Sequence, residues 1–174
     1  PDLFVATTVV SSRLVARMSA AQGVRHIETL TGFKWLSRPG LANPSWHQVL
    51  LYEEALGYAV GPHDRDKDGI SAACCAVDAV AALCDQGRTV ADLLDRLACD
   101  HGAFVTRNGS IRLDPTGTTA SRIDRAPWTL GGIAVVDHDR PGPDVERWWL
   151  ADDTRVIVRP SGTEPKLKYY CEAL

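Results

Sequence analysis

The sequence lacks the features that would place it in a membrane, in a disulfide-bonded scaffold or on nucleic acid. No apolar run approaches about 18 residues free of charge, and no basic segment followed by an apolar one stands at the start. The five cysteines are odd in number and include no Cys-x-x-Cys pair, which argues against disulfides or structural zinc. The net charge of −3 argues against nucleic acid or an anionic membrane surface as the main partner, although local cations could still bind an anionic small molecule.

Repeats, low-complexity segments and an initiator methionine are also absent. The chain enters a strand almost at once after Pro1, which indicates a fragment of a longer protein. Its 174 residues are 45% hydrophobic and 24% charged, which is ordinary for one or two globular domains. Four cysteines lie among apolar neighbours, so we expect small buried thiols in a reducing cytoplasm.

The most informative segment is RPSGTEPK at 159–166. It follows the β-branched run 154–158 and precedes the alternating run 167–171, both of which predict strands. The segment is therefore a loop between two strands.

This loop combines residue types that bind phosphate. Gly162 can take positive φ and let backbone N–H groups converge on an anion. Ser161 and Thr163 add hydroxyl donors, Arg159 a planar fork and Lys166 a point charge. The same composition also suits a plain polar hairpin turn, so the residues alone leave both interpretations open.

The N-terminal half predicts an α/β domain. Strands are expected at 4–10 and 24–30 with a helix between them, and a third strand at 49–52. Such a β-α-β unit forms a parallel sheet, which binds ligands beyond the carboxyl ends of its strands. The segments 31–35 and 37–47 are expected to be loops.

Two charged segments follow the third strand. Glu53 and Glu54 stand at its end, where carboxylates are most often solvated surface. In DRDKDG at 64–69, Asp68 suits a helix N-cap, and the carboxylates do not have the spacing of an EF-hand. No metal site is assigned to this chain.

Two helices are expected next. From 71 to 85 the polar residues recur every seven positions, so this helix should be buried on most sides against the sheet and a neighbouring domain. Thr89 and Asp92 predict a capping box that starts a second, amphipathic helix.

The remainder predicts a small α+β domain with an antiparallel sheet. We expect a hairpin around Asn108-Gly109, a loop at 116–125, a strand at 132–136 and a hairpin at 146–159. The fold class is thus an α/β domain with a mixed, largely parallel sheet, followed by a small α+β domain with an antiparallel sheet.

Four segments, in order, resemble the α-D-phosphohexomutase superfamily, which includes phosphoglucomutases and phosphomannomutases. They are TGFKW at 31–35, EEALGY at 53–58, KDG at 67–69 and the loop at 159–166. The resemblance covers most of the chain. It implies the third domain at 1–100, with linking helices, and the C-terminal phosphate-binding domain at 101–174.

The resemblance also implies roles for individual residues. Lys67 would be catalytic, and Glu53 would accept hydrogen bonds from sugar hydroxyls. The remaining substrate-binding residues would be Thr31, Gly32, Arg159, Ser161, Gly162, Thr163 and Lys166. The superfamily carries serine where Ala55 stands, and alanine cannot hydrogen-bond a sugar. The resemblance therefore does not determine which sugar is bound.

The implied reaction interconverts a hexose 1-phosphate and a hexose 6-phosphate through a phosphoserine, a hexose 1,6-bisphosphate intermediate and Mg²⁺. The Thr-Ala-Ser-His-Asn-Pro nucleophile loop and the Asp-Gly-Asp-x-Asp-Arg metal loop of the superfamily are both missing from this sequence. The fragment alone is therefore expected to be inactive and to need the N-terminal domains of its parent chain. Two alternatives are a phosphopentomutase and a non-catalytic phosphosugar-binding module.

Overall fold

The computed structural model describes residues 2–62, 64–113, 128–162 and 164–174. The chain forms two compact units, Pro1–Ala103 and Phe104–Leu174.

The first unit contains a four-stranded sheet and five helices among its described residues. In chain order the elements are β1 (Asp2–Thr8), α1 (Leu14–Ala21), β2 (Arg25–Thr29), α2 (Phe33–Leu36), α3 (Arg38–Ala42), β3 (Trp46–Glu53), β4 (Gly57–Val60), α4 (Gly69–Asp85) and α5 (Val90–His101). The strand order is β2-β1-β3-β4, with β1 parallel to β2 and β3, and β4 antiparallel to β3. This confirms the predicted mixed, largely parallel sheet.

The core of this unit lies on one face of the sheet, where β1, β3, β4 and α2 meet. Its side chains are at most 4% exposed. They are Phe4, Ala6, Phe33, Leu36, Leu51 and Ala59. Burial of α2 here fixes the position of the segment that follows β2.

Some local predictions for this unit were wrong. The expected loops at 31–35 and 37–47 contain α2 and α3; Pro39 occupies the first turn of α3, where its missing N–H costs nothing. The third strand starts at Trp46 instead of 49, and β4 was not predicted, because four residues give too short a pattern.

The caps of α4 and α5 are confirmed, whereas the burial of α4 is not. Asp68 accepts hydrogen bonds from the N–H groups of Ile70 and Ser71, and Thr89 and Asp92 form the expected capping box. Within α4, however, only Leu83 is buried. The helix contacts the edge strand β4 instead of lying across the sheet.

The expectation of buried cysteines was also wrong, because the helices that carry most of them are largely exposed. Cys74, Cys75 and Cys84 on α4 and Cys99 on α5 are exposed, and Cys171 is half-buried.

The described part of the second unit is all strand and turn. Its elements are β5 (Val105–Arg112), β6 (Thr129–Leu130), β7 (Ile133–Gly142), β8 (Val145–Leu150), β9 (Arg155–Pro160) and β10 (Lys166–Ala173). They form one sheet in the order β5-β10-β9-β8-β7-β6, and every pair is antiparallel. The antiparallel sheet is thus confirmed; the loop predicted at 116–125 lies outside the described residues.

The hairpin predicted around Asn108-Gly109 was wrong, because β5 runs straight through it. Gly109 pairs with Tyr169 on β10, and a Cβ on Gly109 would overlap the Tyr169 ring. This glycine allows close approach of an aromatic side chain and does not form a turn.

The predicted hairpin between β8 and β9 is confirmed, and it places Trp148 in the core, only 1% exposed, with Trp149 half-buried. Across β9 and β10, Arg155 and Glu172 form an ion pair at 3.3 Å with side chains 3% and 2% exposed. Because both charges are buried, replacing either residue should be strongly destabilising.

Candidate functional site

The carboxyl edge of the first sheet collects the candidate residues of the N-terminal half. Because β1, β2 and β3 are parallel, their carboxyl ends meet at one edge. Thr31 follows β2 at this edge, and Glu53 is the last residue of β3.

The segment after β2 is held by a glycine and a buried aromatic ring. Gly32 has φ 109°, a conformation that other residues rarely adopt, and it precedes the first turn of α2. Phe33 is then buried in the core, while Lys34 is exposed with Nζ 5.5 Å from the centroid of the Trp35 ring. Thr31 and Gly32 are therefore placed by the packing of Phe33.

Glu53 is half-buried, and its side chain makes no hydrogen bond or ion pair with another described residue. It pairs with Gly57 across the tight β3–β4 turn. A sheltered carboxylate that offers only acceptors is suited to hydroxyl donors of a ligand.

The β3–β4 turn has an uncommon backbone. Leu56 has φ 63° and is 79% exposed, so it adopts a left-handed conformation without burying its side chain. Such a conformation costs a non-glycine residue about 1–2 kcal/mol. Strained residues of this kind occur often at ligand-binding loops.

Lys67 is brought back to this turn by the packing of its alkyl chain across Gly57. A Cβ on Gly57 would lie 2.7 Å from Phe33 Cε2 and 3.1 Å from Lys67 Cδ. Lys67 Nζ lies 4.6 Å from the centroid of the Phe33 ring and 3.1 Å from Asp66 Oδ1. Three of the segments singled out in the sequence thus meet at one point, through Phe33, Gly57 and Lys67.

Asp66 holds the ammonium of Lys67 from the solvent side. Hydrogen bonds from the backbone and side chain of Lys67 lower the pKa of Asp66, which favours its ionised form. The cation is positioned at the turn that also carries Glu53.

In the second unit, the loop after β9 is a closed turn. The N–H of Ser161 donates to the carbonyl of Lys166, and the N–H of Lys166 donates to that of Glu164. Gly162 is exposed and does not adopt positive φ, contrary to the expectation from sequence. The hairpin hydrogen bond occupies the Ser161 amide; Thr163 lies outside the described residues.

Arg159 is held in a fixed position beside this loop. Its Nη2 donates to the Tyr170 hydroxyl at 3.2 Å and its Nη1 to the Pro160 carbonyl at 3.4 Å. Its buried Nε has no hydrogen-bond partner among the described residues. A buried donor without a partner is costly, and an anion would satisfy it.

Further cations surround the loop. Lys166 pairs with Glu164. The pKa of Glu164 is lowered mainly by the hydrogen bond from Lys166, and further by the charges of Lys166, Lys168 and Arg112. Lys168 lies directly opposite Arg159 in the β9–β10 register. The sequence analysis did not single out Lys168, although its alternation with Lys166 indicated that both share one face of the strand.

Among the described residues, no three His, Cys, Asp or Glu side chains come together as a metal site. No single described helix is long and apolar enough to span a membrane; α4 and α5 reach that length only as a pair, and the chain bends by 93° between them.

Comparisons with known proteins agree with both units. Residues 1–99 match the family model for phosphoglucomutase/phosphomannomutase, alpha/beta/alpha domain III, and residues 134–173 match that for the C-terminal domain.

Curated relatives match over nearly the whole chain. A probable phosphomannomutase of Haemophilus influenzae is 39% identical, over 97% of this chain and 36% of that protein. A probable phosphoribomutase of Schizosaccharomyces pombe is 30% identical, over 97% of this chain and 34% of that protein. The chain spans about a third of the length of these relatives.

Solved structures share the fold. A putative phosphomannomutase from Thermus thermophilus aligns with a TM-score of 0.69 at 19% identity, over 98% of this chain and 32% of that one. A phosphoglucomutase from Paramecium aligns with a TM-score of 0.67 at 19% identity, over 97% and 32%. With both family models matched in order, the chain belongs to the phosphoglucomutase/phosphomannomutase family, of which it comprises the third and C-terminal domains.

Proposed function

We propose that this chain is the substrate-binding C-terminal part of a phosphohexomutase that interconverts hexose 1-phosphates and hexose 6-phosphates. The observation that carries the proposal is Arg159, whose guanidinium is fixed by Tyr170 while its buried Nε has no partner among the described residues. In this proposal Arg159, Ser161, Gly162, Thr163 and Lys166 bind the phosphate that is not transferred.

Lys168 extends this phosphate site. It pairs with Arg159 across the two strands, and its charge acts on Glu164 in the loop. A second cation on the same face would neutralise more of a dianionic phosphate than Arg159 alone. Lys166 would have to exchange its partner Glu164 for the ligand.

The first unit would bind the sugar. Glu53 offers a half-buried carboxylate with no partner among the described residues, and Thr31 and Gly32 lie at the same edge of the sheet. Lys67 would stabilise negative charge or transfer a proton during phosphoryl transfer, since Phe33 and Asp66 fix its amine beside this edge.

The phosphoryl donor would come from the parent chain. The sequence contains no nucleophile loop of the superfamily, so the proposed phosphoserine and Mg²⁺ site lie outside this chain, and hexose 1,6-bisphosphate would be the intermediate. Positioning without a donor cannot transfer phosphate, so the chain alone would be inactive. No step assigned to this chain uses the metal.

A pentose substrate is the second candidate. Ala55 stands where a hydroxyl would contact a hexose, and the relatives include a phosphopentomutase from mouse at 25% identity over 98% of this chain. A non-catalytic phosphosugar-binding module is the third candidate function.

The full-length parent protein, assayed with Mg²⁺ and a bisphosphate activator on glucose, mannose and ribose 1-phosphates, distinguishes these proposals. Turnover of the hexose phosphates with kcat/KM well above that for ribose 1-phosphate supports the phosphohexomutase. A preference for ribose 1-phosphate supports the phosphopentomutase. Binding of phosphosugars without turnover of any of them would favour the module.

A further inference from the structure

The edge of the first sheet at which its parallel strands begin, here called the amino edge, carries a cavity of about 380 Å³. The cavity is lined by Phe4 of β1, by the first three residues of β3, by part of α3 and by the segment that follows β4. Small-molecule sites have volumes of roughly 300–1,000 Å³, so this cavity is large enough to hold a ligand.

The cavity is separate from the candidate site at the carboxyl edge of the same sheet. Trp46 lines the cavity and is the first residue of β3, whereas Glu53 is the last. The extended strand between them places the two residues roughly 23 Å apart. A molecule in the cavity would therefore not reach the carboxylate of Glu53.

The inner wall of the cavity is aromatic and held in place. Phe4 is fully buried, and its ring is tilted against that of Trp46 with the two centroids 5.9 Å apart. The guanidinium carbon of Arg25 lies 4.2 Å from the centroid of the Trp46 ring, which limits the rotation of this side chain. A fixed aromatic wall favours a flat apolar ligand, because stacking on it costs little further side-chain freedom.

The exposed part of the lining includes His47 and Arg65. Neither side chain makes a hydrogen bond or an ion pair with another described residue, and none of the described residues that line the cavity is acidic. A guanidinium without an acidic partner is suited to a carboxylate or phosphate group, which it contacts through two parallel hydrogen bonds. The imidazole of His47 adds a further N–H donor.

The segment that carries Arg65 is tied to β3. Nε2 of Gln48 donates to the carbonyl of Gly61 at 2.8 Å and to that of Asp64 at 3.0 Å. The N–H of Gly61 donates to the carbonyl of Val49 at 2.9 Å. These bonds hold one wall of the cavity in position without a ligand, which lowers the cost of binding.

We propose that this cavity is a further binding site, which takes a small molecule that combines a flat apolar ring with one anionic group. The ring would lie against Trp46 and Phe4, and the anionic group would face Arg65 and His47. The site is additional to the proposed hexose phosphate site. It depends neither on which sugar the parent protein binds nor on whether that protein is catalytic.

Three probes test the two halves of this ligand description. Naphthalene-2-carboxylate has a flat ring system and one carboxylate, and titration calorimetry with the full-length parent protein should show saturable binding of this probe. Naphthalene-2-methanol has the same ring without the charge, and cyclohexanecarboxylate has the charge without a flat ring. Each of these two should bind at least roughly fivefold more weakly. Glucose 1-phosphate should not displace the first probe, because the cavity lies far from Glu53.

Two matched variants test the position of the site. Arg65→Gln should weaken binding of naphthalene-2-carboxylate roughly fivefold or more, whereas Arg17→Gln, at an exposed arginine on α1 of the same unit, should leave it unchanged. Both arginines are exposed, so both variants should fold.

Several results would overturn the inference. Absence of saturable binding at millimolar naphthalene-2-carboxylate would show that the cavity is closed or covered in the parent protein. Displacement by glucose 1-phosphate would place the probe at the substrate site. Equal affinities for the three probes, or equal effects of Arg65→Gln and Arg17→Gln, would show that the ring, the charge or the cavity is not what the protein recognises.

Discussion

The amine of Lys67 lies over the face of the Phe33 ring, 4.6 Å from its centroid. The two residues come from separate segments of the chain, and the glycine between them in space, Gly57, leaves the room that both need. The cation and the ring attract each other, and the contact limits where the amine can go. This arrangement links the fold of the first unit to its candidate chemistry.

Replacing Gly57 by alanine tests this packing. The new Cβ would lie 2.7 Å from the Phe33 ring and 3.1 Å from the Lys67 side chain, so one of them must move. We expect Gly57→Ala to lower the free energy of unfolding by about 1–3 kcal/mol, as overpacking does. Gly69→Ala is the matched control, since its Cβ would meet nothing within 4 Å. Equal denaturation midpoints for the two variants would contradict the account.

Removing the charge of Lys67 tests its role in the reaction. In the full-length enzyme, Lys67→Met should lower kcat far more than it changes KM, because a group acting in the transition state contributes little to ground-state binding. The side chain is 54% exposed, so the melting temperature should change little. A large loss of melting temperature with normal kinetics would assign Lys67 to structure instead.

Glu53 should accept hydrogen bonds from the hydroxyl groups midway along a hexose ring, at O3 and O4. A mutase binds its sugar in two orientations, and O3 and O4 can be reached in both; glucose and mannose share those positions, whereas galactose differs at C4. Glu53→Gln should therefore reduce kcat/KM for glucose and mannose 1-phosphates by similar factors, roughly 10- to 100-fold. The substitution should also reduce the difference in kcat/KM between these two substrates and galactose 1-phosphate. This role would be excluded if Glu53→Gln changed the ratio of kcat/KM for glucose 1-phosphate to that for mannose 1-phosphate and left the discrimination against galactose 1-phosphate unchanged.

His26 should make the first unit sensitive to mild acid. Burial lowers the pKa of this imidazole below its usual 6.5, against a smaller opposing effect of Glu28, and a hydrogen bond joins it to Thr7. The folded protein thus favours the neutral imidazole. The contribution of His26 to stability is therefore present above the pKa that this residue has in the unfolded chain, and it is lost as the pH falls through the lower pKa that it has in the folded protein. Urea unfolding between about pH 7.5 and pH 5 should lose less stability in His26→Gln than in wild type. An equal loss in both would show that His26 is not responsible.

The sequence predicted most reliably the features that depend on local chemistry. The caps at Asp68 and Thr89 and the strands on either side of the loop at 159–166 need only nearby residues, and the structure has them. Gly109 shows the limit of such patterns, because a glycine that makes room for a distant ring looks the same in sequence as a turn glycine. The predicted packing of α4 against the sheet was wrong, since only Leu83 of this helix is buried, and an apolar helix does not reveal in sequence which surface it packs on. Its predicted contact with a neighbouring domain stays a prediction.

The sequence could name candidate residues for a site, and their roles stay predictions; it could not give their arrangement. Glu53 and Lys67 stood out by type and by resemblance, whereas the role of Phe33 in placing Lys67 depends on contacts between segments. Lys168 was missed because it lies outside the loop, and only the strand register brings it opposite Arg159.

The central claim is that Arg159 binds the phosphate of the substrate, and its most direct test is kcat/KM for a hexose 1-phosphate in the full-length enzyme. Arg159→Ala should lower kcat/KM on the order of 10²-fold or more, and Arg159→Lys should recover only part of it because the planar fork is lost. Arg107→Ala, an exposed arginine on β5, should leave it unchanged. A near-wild-type value for Arg159→Ala would contradict the account and leave the loop at 159–166 as a hairpin turn.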